Sequence, residues 1–354
     1  MAEEIKNVGN ETEKSPRAYL PSIERLRLIL MFFMCIDLFG FPTAFGEMIK
    51  TFCGFVPIAF FIISGFLVLR KDEDRSKRIV RSIKRSAITL LVLIVIYFVI
   101  NYFYYRQQGV SVFSAFTMKR VWFNFIVLNV WQFDIGGAIW YVQALLYAYI
   151  IIWFLEKLKL MRFDWIIGIL LFILTVVTGE LSGIFKWNVL GYSYLAGNFL
   201  TRALPYILLG GFIQRNMEKF GAVWPGVYRI GAFAGIILMY AEMMILAMKG
   251  VPGYYGHLIG MAVTAFSVCM LAFMEYDRPG FEKLFKLSRW HTNSIYYMCP
   301  AVSTGAAFLM SFIGNKIGKN LFGFIGIVTF VICFCLALLI AFIGRTVFKK
   351  KANE

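Results

Sequence analysis

Apolar runs close to twenty residues long recur along this chain from residue 26 to residue 344, and that recurrence constrains the fold more than any motif. A bilayer core needs about 20 apolar residues per crossing helix. Ten segments meet this expectation: 26–46, 52–70, 85–105, 138–156, 164–180, 200–216, 227–248, 257–274, 294–313 and 320–344. Four of them are irregular. The first carries Asp37, Gly40 and Pro42, the second starts at Cys53-Gly54 and holds Pro57, the sixth contains Pro205 and Gly210-Gly211, and the eighth is short. The predicted fold is all-α: a polytopic integral membrane protein of about ten transmembrane helices, with both termini cytoplasmic.

Composition supports one membrane domain over two soluble ones. Hydrophobic residues are 60% of the chain and charged residues 16%, against roughly 45–50% and about 25% in soluble domains. The expected divisions are a cytoplasmic tail over 1–19, a membrane domain over 20–345 and a basic cytoplasmic tail over 346–354. The first residues lack the apolar core of a cleavable signal peptide.

The net charge of +16 would point to nucleic acid in a soluble protein. Here the basic residues lie in short segments between apolar spans. With the N-terminus inside, 27 of the 36 Lys and Arg fall in inner segments and 9 in outer ones. That is the positive-inside pattern. It predicts a multi-pass protein of the inner or plasma membrane whose basic face meets membrane lipid, with no nucleic-acid partner. The six cysteines include no CxxC pair and read as small packing residues. His257 and His291 have no metal-ligand spacing, so no metal is expected. There is no Walker loop, no HExxH and no GxSxG.

Residues 20–85 concentrate the polar chemistry. Glu24, Arg25 and Arg27 stand at the cytoplasmic mouth of the first span. A guanidinium fork matches a phosphate, although snorkelling explains such arginines equally well. Asp37 lies inside the span, where a carboxylate costs roughly 2.5–3.5 kcal/mol and usually faces the bundle interior. It is a candidate acid, base or orienting group. Ser64-Gly65 breaks the second span, and such small residues serve helix packing or a polar cavity. The basic run 70–85 places Arg78, Arg81 and Arg85 on one helical face, suited to a lipid headgroup or an anionic nucleotide cofactor.

Further along, Trp140 opens the fourth span, and Gln143 and Tyr147, four apart, share a face that could line a polar cavity for substrate. Tyr296 and Tyr297 add hydroxyls in the ninth span. The outer loops 106–137 and 181–199 are long. Trp122, Trp131, Phe133 and Asp134 in the first suit an interfacial belt or a substrate lip.

Taken in order, several stretches resemble the bacterial family-three membrane acyltransferases, which O-acetylate surface polysaccharides, lipids and related glycans. They are Ile23-Glu24-Arg25-Leu26-Arg27, Ala59 through Leu67, the basic exit 78–85, Ile139-Trp140-Tyr141-Val142-Gln143-Ala144-Leu145, Leu204-Pro205-Tyr206-Ile207-Leu208-Leu209-Gly210, and Leu287-Ser288 through Ser294-Ile295-Tyr296-Tyr297-Met298-Cys299-Pro300. The resemblance runs from residue 20 to 345 and implies a ten-helix fold. It implies transfer of an acyl group, expected to be acetyl, from acyl-CoA to a hydroxyl of a surface or lipid-linked glycan. Arg27, Arg78, Arg81 and Arg85 would hold the cofactor, and Asp37, Tyr296 and Ser64 would assist proton transfer. Two departures stand out. The family pattern has a His eleven residues after the mouth arginine, where this chain has Leu38, and often a His before the ninth-span proline, where it has Cys299. Losing a general base costs about 10²–10⁴ in rate. The contrasting reading is therefore a catalytically degenerate relative that transports or senses a small polar or acylated molecule. A glycan flippase or polymerase is disfavoured by the small size and the lack of a large Arg-rich outer loop.

Overall fold

The computed structural model describes residues 21–39, 44–70, 74–109, 111, 113, 119–129, 135–136, 138–181, 185, 198–250, 258–274, 282–318 and 321–352. Among the described residues the elements are helical, with no strand. Twelve helices of eight or more residues stand among the described residues: α1 (Pro21–Phe39), α2 (Ala44–Cys53), α3 (Val56–Val68), α4 (Arg75–Gln107), α5 (Lys119–Ile126), α6 (Ala138–Lys157), α7 (Asp164–Val176), α8 (Leu204–Arg215), α9 (Pro225–Met248), α10 (Ile259–Met274), α11 (Glu282–Ile317) and α12 (Ile325–Ala352). Each of the ten apolar segments contains helix. Among the described residues six helical stretches are long and apolar enough to cross a membrane: Met48–Val68, which runs from α2 through α3, Arg75–Gln107, Ala138–Lys157, Leu160–Gly179, Pro225–Met248 and Asn293–Ile317. Two shorter apolar helices, Ile259–Met274 and Ile325–Leu339, accompany them. The segment 346–352, expected as tail, continues α12 as helix.

α3 is the axis of the bundle. It is apolar on every side, and nearly all its residues are buried. A helix that is hydrophobic all round belongs in an interior. It crosses α8 at backbone distance, because glycines stand where the two meet. A Cβ on Gly65 would collide with the carbonyl of Ile207, and one on Gly210 with the carbonyl of Ile62. Small residues permit this approach in membranes, where tight packing takes over from the hydrophobic effect as the driving force. Around this pair, α1 packs on α3, α11 and α12, α4 on α6, and α9 on α10. Ile88, Leu91, Val95 and Val99 on α4, and Ile230, Phe233 and Ile237 on α9, remain exposed. Apolar bands of this extent mark a lipid-facing surface.

Two polar fasteners fix the helices around the interior. Asn101 is fully buried on α4, and its Nδ2 donates to the carbonyls of Tyr97 (2.7 Å) and Ile135 (2.6 Å). Its Oδ1 accepts from the Ile135 N–H at 3.2 Å, so the amide pins the chain just before α6. Tyr97 Oη donates to the carbonyl of Tyr297, joining α4 to α11. Pro300 lies inside α11 and has no N–H to give to the preceding turn.

Candidate functional site

α1 brings its mouth residues inward because Ser22, Ile23 and Glu24 are all buried. Ser22 Oγ donates to the carbonyl of Ala272 at 2.7 Å, which ties the start of α1 to the end of α10. Arg27, one turn on, is held from two sides. Its Nη1 donates to both carboxylate oxygens of Glu24, at 3.0 and 3.2 Å, and its Nη2 donates to Asn293 Oδ1 at 2.7 Å. The Arg27 side chain is only 15% exposed. Such charge-assisted contacts fix its plane and direction before any ligand arrives.

Facing this arginine is a group of hydroxyls from three helices. Ser64 on α3 pairs with the phenols of Tyr141 and Tyr149 on α6. The Tyr141 ring packs on Phe61 at 4.8 Å and meets Tyr296 of α11 edge-on at 5.4 Å. Tyr296 is 3% exposed, and its Oη has no hydrogen-bond partner among the described residues. The charge of Arg27 acts on Tyr141 and Tyr297, and that of Arg85, across on α4, acts on Tyr149 and Tyr297. The structure thus brings together Arg27, Ser64 and Tyr296 of the expected residues, with the exposed Arg85 acting on the cluster through its charge alone, and adds Glu24, Asn293, Tyr141 and Tyr149. Asn293 had no signal in the sequence, since nothing in its neighbours marks an asparagine as the partner of an arginine 266 positions away.

Asp37 belongs to a different place. It sits ten residues beyond Arg27 on α1, about 15 Å along the axis at 1.5 Å per residue. The charges acting on it are those of Arg202 and Lys50, not Arg27. The guanidinium of Arg202 stacks on the Trp140 ring at 5.1 Å, so Asp37, Arg202 and Trp140 form a second polar group toward the other end of α1.

Several polar atoms of the other expected residues are engaged by the scaffold, while Oε1 of Gln143 is buried with no hydrogen-bond partner among the described residues. Arg78 folds back over the end of α3, its Nε donating to the carbonyl of Val68 (3.2 Å) and its Nη2 to that of Arg70 (2.7 Å). Last-turn carbonyls of a helix need such donors. Arg81 is exposed on α4. Gln143 Nε2 donates to the Phe125 carbonyl at 2.6 Å and Tyr147 Oη to that of Ile126 at 2.8 Å, so this pair holds the end of α5 against α6. Trp131, Phe133, Asp134 and His257 lie outside the described residues, as does the side chain of His291.

Leu38 is half-buried against the apolar core. Cys299 is fully buried, with its Sγ 3.1 Å from that of Cys35, and it also pairs with Cys333. Three thiols from α1, α11 and α12 therefore meet where the resemblance expects a histidine. All six cysteines are free.

No curated protein and no solved structure matches the chain. A family model described as an acyltransferase domain matches residues 20–346, nearly the whole length. That span contains the arginine at the mouth of α1, the hydroxyl cluster beside it and the apolar helices around both, and the chain belongs to the family-three acyltransferases, as a multi-pass membrane protein.

Proposed function

We propose that this protein transfers an acyl group, acetyl first among candidates, from cytoplasmic acyl-CoA to a hydroxyl of a lipid-linked or cell-surface glycan at the inner or plasma membrane. The observation that carries the reading is Arg27, oriented by Glu24 and Asn293 beside buried hydroxyls. In the reaction the acceptor oxygen attacks the thioester carbonyl, the new C–O bond forms, the C–S bond breaks, and the acceptor proton ends on the departing CoA thiol.

Arg27 and Arg85 supply positive charge on the donor side, where phosphates and the developing oxyanion need it. The unpartnered phenol of Tyr296 is the group with a hydrogen bond to offer, and Ser64 links the neighbouring phenols into a path for a proton. Asp37, with Arg202 and Trp140, serves the acceptor side, where a carboxylate can take a hydroxyl hydrogen bond.

The test is acyl-CoA hydrolysis and transfer by the purified protein in nanodiscs. Activity that falls in Arg27→Ala and Asp37→Asn supports a site working without the family histidine. Activity appearing only in Leu38→His or Cys299→His supports a retained donor site in a chain that lost its base. A protein that neither binds nor turns over acyl-CoA in any of these forms sinks the proposal. One observation favours the transport or sensing reading instead: Cys299 lies among two other thiols, with no imidazole described beside it. Substrate uptake into proteoliposomes without acyl-CoA turnover would support that reading.

A further inference from the structure

A cavity of about 460 Å³ opens where the end of α6, the start of α7 and the end of α8 meet, the side expected to be cytoplasmic, and shares no lining residue with the cluster around Arg27. Its volume lies within the roughly 300–1,000 Å³ of small-molecule sites. Four cations line it, Arg75, Lys159, Arg162 and Arg215, against two carboxylates, Glu156 and Asp164. Both carboxylates are ion-paired, although Oε2 of Glu156 is buried with no hydrogen-bond partner among the described residues. Arg75 grips Glu156, with Nε at 3.1 Å and Nη2 at 2.7 Å from Oε1, and Arg215 pairs with Asp164. Two positive charges are left in excess. Nη1 of Arg215 is buried with no hydrogen-bond partner among the described residues.

The rim is shaped for the purpose. Lys159 holds a left-handed backbone, φ 58°, which residues other than glycine rarely adopt. It sits in the turn between α6 and the short helix Leu160–Phe163, and that helix carries Arg162, which also lines the cavity. Phe212 and Trp165 supply apolar wall. Beside Trp165 the exposed apolar side chains of α7, Ile166, Ile169, Leu170 and Ile173, run away toward the bilayer interior. The cavity therefore lies at the foot of a helix whose exposed side is apolar.

We propose that this cavity is a binding site for a negatively charged phosphate ester, separate from the acyltransfer site. Guanidinium and ammonium groups with unspent hydrogens suit phosphate oxygens. Basic pockets on the cytoplasmic side of membrane helices hold anionic headgroups by the same means. The group can arrive on a phospholipid, whose chains would follow α7, or on a soluble phosphate. The proposal stands whether or not acyl transfer does.

The full chain is purified in phosphatidylcholine nanodiscs, with and without phosphatidylglycerol, and separately with added inorganic phosphate or adenosine monophosphate. Unfolding is followed by tryptophan emission. A ligand that binds only the folded state raises the midpoint. Lys159→Gln/Arg162→Gln removes two exposed cations and leaves both ion pairs intact. Lys77→Gln/Lys84→Gln removes the same charge from the same face outside the cavity. The expected result is a rise of several degrees that is at least halved in the first variant and kept in the second. A rise with phosphatidylglycerol alone assigns the phosphate to lipid, and a rise with the soluble probes assigns it to a soluble ester. An equal rise in both variants, or no rise with any probe, overturns the proposal.

Discussion

At Arg27, Nη1 is committed to Glu24 and one Nη2 hydrogen to Asn293, which leaves Nε and the other Nη2 hydrogen for a ligand. Tyr296 is the complementary case, a buried phenol whose oxygen gives and receives nothing among the described residues. Burying an unsatisfied hydroxyl costs about 1–3 kcal/mol. Tyr296→Phe should therefore leave the unfolding midpoint unchanged or raise it. In the same preparation it should lower acyl transfer about 10²-fold, the scale of a lost proton-handling group. A fall in stability with unchanged turnover would assign the phenol to packing. Arg27, Ser64 and Tyr296 were legible in the sequence because each sits in a motif. Asn293 and Tyr149 were not, because their partners lie on other helices. Gln143 and Tyr147 show the opposite limit. Their four-residue spacing did put them on one face, but spacing cannot say that the face meets backbone carbonyls of α5.

At the scale of elements, α3 and α8 interlock through Gly65 and Gly210. Gly210→Ala places a methyl against the Ile62 carbonyl, and overpacking of this kind costs about 1–3 kcal/mol or more. Gly305→Ala on α11 meets open space and should be neutral or slightly stabilising. Denaturation midpoints of the two variants should separate accordingly, and equal midpoints would remove the close crossing. The glycine pair was visible in the sequence, but its partner helix was not. The span pattern was legible for the long helices, where length and apolarity suffice. It was less so for α8 and α10, of 12 and 16 residues, which depend on neighbours rather than on their own length.

For the whole molecule, the sequence count of 27 basic residues in segments expected inside against 9 expected outside predicts the orientation of the bundle. On that expectation Lys157, at the end of α6, lies inside and Lys249, just after α9, lies outside. Five of the six native thiols are buried. In intact cells an impermeant maleimide should label Lys249→Cys at once and Lys157→Cys only after permeabilisation. The reverse order would mean that a crossing has been miscounted. The α3–α8 crossing also bears on how the chain is made. About 150 residues separate the end of α3 from the end of α8. At roughly 5–20 residues per second, α3 leaves the ribosome on the order of ten seconds before the surface that covers it exists. Until then its bare glycine seam faces lipid or an insertase, and this interval, more than the finished fold, is when the nascent protein is open to quality-control proteolysis.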